Sequence, residues 1–121
     1  MKQILDYKGC CMDHLYPTDI DAMIEYKDSK YIIFEVKYAD NIVPYAQRMA
    51  LERMADDFTK AGKQVAVLIC RHYVSDPRHP VELARCSVSE VYNGRGGAWR
   101  EPVKRMNVKE AIGRFQKGER I

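Results

Sequence analysis

Two pairs of charged residues carry the chemistry this sequence offers. Asp19 and Asp21 stand two apart in an alternating stretch, and Glu35 and Lys37 stand two apart in the β-branched, aromatic run Tyr31 to Tyr38. On a strand, residues two apart leave the same face, so each pair presents its side chains together. Burying four charges in an otherwise apolar hairpin is costly unless they pair with one another or meet a cation. Converging carboxylates are hard oxygen donors, suited to Mg²⁺ or Mn²⁺. A lysine two residues beyond such a carboxylate brings an ammonium to the same spot. There it could orient or deprotonate a water, or neutralise charge developing on a phosphoryl group. In the blander alternative, Asp19 pairs with Lys37 across the strands while Asp21 and Glu35 are solvated on the outer face. An exposed pair of that kind is worth about 0–1 kcal/mol.

The elements must satisfy one condition for the four charges to converge. The alternation Ile20, Ala22, Ile24 predicts a strand from about Asp19 to Tyr26, and Tyr31 to Tyr38 predicts a second, joined to the first by the turn Lys27-Asp28-Ser29-Lys30. A two-residue Asp28-Ser29 turn would set Asp21 opposite Val36 and point it away from Glu35. Only an odd loop, such as Lys27-Asp28-Ser29, or a bulge sets Asp21 opposite Glu35. The odd register is the expectation.

Pro44 is suited to the first turn of a helix by its fixed φ. Gln47, Ala50, Leu51, Met54, Phe58 and Ala61 then form one apolar stripe that carries Gln47 against the sheet, and Gly62 stops it. The near-continuous apolar run Gln64 to Cys70 predicts a strand buried on both faces. A helix between two strands implies a right-handed crossover, so this strand should lie parallel to a hairpin strand. Val81 to Tyr92 has weaker strand character, Asn93 to Gly97 is a turn, and Asn107 caps a last helix over about Val108 to Lys117. The fold class is therefore α/β (α+β): one domain over residues 1–121, a mixed sheet with a hairpin, a crossover helix and a C-terminal helix.

Pro17-Thr18-Asp19-Ile20-Asp21 followed by Glu35-Val36-Lys37 resembles the signature of the PD-(D/E)xK nucleases, the restriction-endonuclease-like superfamily, and most of all its small resolvase-like and phage-borne members. The resemblance covers roughly Thr18 to Cys70. It implies a metal-dependent nuclease, with Mg²⁺ or Mn²⁺ held by Asp21 and Glu35 with help from the Val36 carbonyl. Lys37 would stand at the attacking water and Gln47 would steady the site. Asp19 is the alternative ligand, and Asp6 or Asp13 would supply the acid that the family usually carries upstream.

Composition bounds these readings. With 46% apolar and 31% charged residues, the 121-residue chain is of the globular class. Its longest apolar run, Val65 to Cys70, is far short of a membrane span, and the opening Met1 to Asp6 lacks the apolar core of a secretory leader. A cytoplasmic address is the expectation, with Cys10, Cys11, Cys70 and Cys86 as free thiols.

Charge is uneven. Val91 to Ile121 holds eight basic residues against three acidic ones, while the preceding ninety residues hold twelve and fourteen. Arg95, Arg100, Lys104, Arg105 and Lys109 are the candidates for tracking a DNA backbone. A homodimer would suit a duplex or branched substrate. His72 could lie near the site but is more readily a packed residue, and Trp99 is more readily packed on its own domain than stacked on a base. Two other classes of function remain open. One is an inactive nucleic-acid- or protein-binding module of the same fold, such as a phage accessory factor. The other is a zinc-binding domain using Cys10, Cys11 and His14, with Cys70 and Cys86 as distant ligands.

Overall fold

In a computed structural model, residues 3–15 and 17–121 are described; Met1 and Lys2, which open the leader reading, lie outside them. The regular elements are β1 (Ala22–Tyr26), β2 (Lys30–Tyr38), α1 (Tyr45–Lys60), β3 (Gln64–His72), β4 (Ser87–Tyr92) and α2 (Val108–Gln116), with short 3-10 turns at Lys8–Cys10 and Leu83–Arg85. One mixed sheet runs β1-β2-β3-β4, antiparallel at both outer pairs and parallel between β2 and β3. This is the expected α+β architecture, with the hairpin, the parallel third strand and both helices near their expected positions.

The hairpin takes the odd register: Tyr26 pairs with Lys30 and Ala22 with Phe34. The turn explains it. The Tyr26 carbonyl accepts from Ser29 N at 3.0 Å, Lys27 and Asp28 adopt left-handed φ of 49° and 56°, and Ser29 is left out of the ladder. β1 is shorter than expected, because Asp19 to Asp21 precede the ladder.

Alternation along β2 sorts its residues onto two cores. Ile32 and Phe34 join Leu68, Val88, Val91, Val108 and Phe115 beneath α2. Ile33 joins Leu51, Ala55, Val65, Val67 and Tyr92 beneath α1, with Tyr31, Met54 and Phe58 at its border. Within α1, Leu51 and Ala55 are the buried residues while Ala50, and Ala61 at the C-cap, are exposed, so the buried stripe is rotated from the expected one. Pro44 also lies one position earlier than expected, at the N-cap with an extended ψ of 143°. In α2 the Asn107 side chain accepts from Glu110 N at 2.9 Å, as a capping residue should.

Val88 and Val91 have odd spacing yet share the α2-side core. A bulge opposite Ile69 and Cys70 reconciles them by placing one extra residue in β4. The outer edge of β4 is covered by the chain that follows: Arg100 bridges Val91 and Asn107 bridges Ser87. Within the sheet β1 pairs with β2 alone. No helix among the described residues is long and apolar enough to cross a membrane.

Candidate active site

Asp21 immediately precedes the ladder, next to the Ala22–Phe34 pair, and its side chain reaches back to β2. Its Oδ2 accepts from Val36 N at 2.7 Å, so the backbone of β2 fixes one carboxylate beside the next. Glu35 lies on the α1 side of the sheet and is 3% exposed, the one buried charged residue among the described residues. Its Oε1 is 3.3 Å from Lys37 Nζ. Gln47, in the first turns of α1, lies close enough to the same carboxyl group to draw its pKa down. The structure thus brings together Asp21, Glu35, Lys37 and Gln47.

Glu35 is the strained member. Its Oε2 is buried with no hydrogen-bond partner. Burial first, and the adjacent Asp21 charge second, push its pKa up, while Lys37 and Gln47 pull it down. An orphaned carboxylate oxygen beside a second carboxylate is a place where a cation would relieve both desolvation and repulsion. The donors here are two carboxylates and a strand backbone. Mg²⁺ is commonly held by one or two carboxylates, with waters and substrate phosphates completing its shell. The residues fit such an ion. Among the described residues, no group of three or more His, Cys, Asp or Glu side chains is placed to hold a metal.

Several expected roles fall differently. Asp19 lies outside the ladder and its carboxylate takes a short hydrogen bond from the Tyr7 hydroxyl, so it is turned toward the N-terminal segment. Lys37 pairs with Glu35 rather than Asp19, and burial of Glu35 removes the solvated-face alternative. Asp6 caps Lys8 N at 2.9 Å, and Asp13 sits in the exposed turn between Met12 and Leu15. Cys70 and Cys86 are buried in the α2-side core whereas Cys10 and Cys11 are exposed, which separates the zinc ligands that were considered. Burial raises the Cys70 thiol to about 12. His72 packs edge-on against Tyr38, and its Nδ1 accepts from Val74 N at 3.2 Å.

The basic tract does not gather beside the carboxylates. Arg100 donates to Asn93 Oδ1 at 2.8 Å and to the Ile121 carbonyl at 2.7 Å, which ties the chain after α2 to the end of β4. Lys104 pairs with Glu110 at 2.9 Å. Arg105, in the stretch between the two bridges to β4, and Lys109, in the first turn of α2, are exposed. Arg95 follows β4 at the end of the sheet where β3 begins, whereas Glu35 stands opposite Ile69 near the end where β3 finishes. The tract extends along β4 because its backbone is the cover of that edge.

Arg48 and Glu90 border the site and were not among the sequence candidates. Glu90 faces Ile69 in the same row as Glu35, and forms a two-pronged pair with Arg48 at 3.3 and 2.9 Å. The Arg48 guanidinium lies 4.6 Å from the Trp99 ring centre. Trp99 in turn stacks on Tyr92 and donates to Glu52 at 2.6 Å. The odd spacing of Val88 and Val91 was the available signal, since it requires the bulge that turns Glu90 toward α1. No family model, curated protein or solved structure matches the chain.

Proposed function

We propose that this chain is a small divalent-metal-dependent phosphodiester hydrolase of the PD-(D/E)xK type, acting on DNA. The observation that carries the proposal is the buried, half-unpartnered Glu35 carboxylate, flanked by Asp21, Lys37 and Gln47. In this reading Asp21 and Glu35 hold Mg²⁺ or Mn²⁺, with the Val36 carbonyl as a further donor. When bound, the ion would polarise the scissile phosphate and acidify the attacking water. Lys37 is held against Glu35 and reaches the same space, where its ammonium can orient that water and offset charge developing on the phosphate. In this reading Gln47, beside the Glu35 carboxyl group, would steady it. The backbone N–H of Val36 fixes Asp21, so that acid does not depend on a mobile side chain for its position.

The test is cleavage of plasmid, linear, single-stranded and four-way-junction DNA in Mn²⁺, with Lys37→Ala purified alongside. Cutting that disappears in Lys37→Ala, with an unchanged circular dichroism spectrum, is the expected result. An intact wild type that cuts none of these substrates would sink the proposal.

The Glu35–Lys37 ion pair favours a second reading, in which the charges stabilise an inactive binding module of the same fold. The two diverge on the metal. A hydrolase should bind Mn²⁺ and lose it on Asp21→Asn or Glu35→Gln, whereas a binding module should be indifferent.

A further inference from the structure

At the opposite end of the sheet, the end of α1, the start of β3, the turn after β4 and the chain after α2 enclose a concavity of about 530 Å³. Its charged lining is lopsided: Arg95, Arg100, Arg120 and Lys63 face Glu119 alone. Lys63 is paired with Asp28 at 3.0 Å and Glu119 with Arg114 at 3.3 Å, so those two charges are matched locally. Among the described residues, no side-chain carboxylate lies within ion-pair distance of Arg95, Arg100 or Arg120.

Arg100 is half-buried, and its guanidinium is fixed by Asn93 and by the Ile121 carbonyl. Burial and the neighbouring Arg120 both lower its pKa. Arg95, Arg100 and Arg120 line one concavity, so an anion seated there would meet three guanidinium groups. Guanidinium forks match the oxygens of a phosphate. The left-handed turns at Gly62, Gly94 and Gly118, with φ of 84°, 88° and 77°, line the same space without adding side chains to fill it.

We propose that this concavity binds a phosphate group, at a site separate from the Asp21–Glu35 carboxylates. The proposal rests on the charge and shape of the concavity and does not depend on the hydrolase reading. A small phosphate compound and a nucleic-acid backbone share this chemistry, and ligand length tells them apart. Four residues of β3 separate Val65 at the concavity from Ile69 opposite Glu35, roughly 13 Å at strand rise.

The experiment titrates pyrophosphate, and separately a short single-stranded oligonucleotide, into the full chain without divalent cation, following backbone amide resonances. It compares Arg95→Gln/Arg120→Gln with Arg53→Gln/Arg85→Gln, a charge-matched pair at exposed positions elsewhere. Pyrophosphate should shift the Gly62, Gly94 and Gly118 amides, and the first double variant should weaken its binding about tenfold or more while the second leaves it alone. If the oligonucleotide is the better ligand, its log K against log salt slope should fall by about 1.4 in the first variant, at ~0.7 per lost contact. Pyrophosphate binding alone would assign a small phosphate compound. Equal weakening in both variants, or no shift at those glycines with either ligand, would overturn the proposal. Because no cation is present, the result stands whether or not the wild type cleaves DNA.

Discussion

Burial and the neighbouring Asp21 carboxylate together hold the Glu35 pKa above its ordinary value of 4.5, against the opposing pull of Lys37 and Gln47. A group whose pKa is raised by folding contributes its stability below the unfolded value and loses it as pH climbs through the folded one. Stability should therefore decline over the pH range above 4.5 in which Glu35 ionises. Glu35→Gln should flatten that decline and raise the neutral-pH melting temperature by a few degrees. The same substitution should abolish stabilisation by Mn²⁺, which in the wild type would reach about 2.7 kcal/mol at a hundredfold excess over Kd. Thermal melts across pH, with and without Mn²⁺, check both. A variant that is destabilised at neutral pH would show that the Lys37 pair outweighs the burial of charge. Asp21, Glu35 and Lys37 were singled out by spacing and the implied hairpin, whereas Gln47 came from the helix stripe and the family resemblance. The position of Asp19 was not legible, because alternation continues in sequence beyond the point where hydrogen bonding to β2 stops.

Two turns decide whether the elements present those residues correctly. The β1–β2 register depends on Lys27 and Asp28 at left-handed φ, a conformation that costs a residue with a Cβ about 1 kcal/mol more than it costs glycine. Replacing the pair with Asn-Gly should stabilise the fold by about 1 kcal/mol in urea titrations and leave Ala22 paired with Phe34. At the other end of the sheet Gly94 is not replaceable. Its φ is +88°, and an added Cβ would lie 2.7 Å from Thr59 Cγ2 and 3.0 Å from the Ala55 carbonyl oxygen, so Gly94→Ala should cost about 2–3 kcal/mol. The hairpin, α1, β3 and α2 could be read from periodicity and capping residues, since each carries its own local pattern. β4 resisted because its bulge breaks the alternation that would announce it. The basic residues after Asn93 looked like one functional tract because a sequence carries no sign that their backbone covers a sheet edge.

At the scale of the whole molecule, the two cores share β2 and β3 and should melt together. Trp99 is the sole tryptophan and reports on the α1 side, whereas Phe115 belongs to the α2 side. Phe115→Ala should cost about 3–5 kcal/mol and move the Trp99 fluorescence transition as far as the far-UV circular dichroism transition. Separate midpoints would mean that the two cores unfold independently. The edges of the sheet are unequal, however. On one flank the stretch from Arg100 to Asn107 is stitched to β4, while on the other β1 carries half-exposed Met23 and Tyr26 and pairs inward only. A sheet that accepts another strand on both flanks can polymerise without limit. Here growth is one-sided: one copy joining another edge to edge through β1 would leave a sealed β4 facing outward at each end. Such growth stops at two, and a fibre built from folded molecules has nowhere to start.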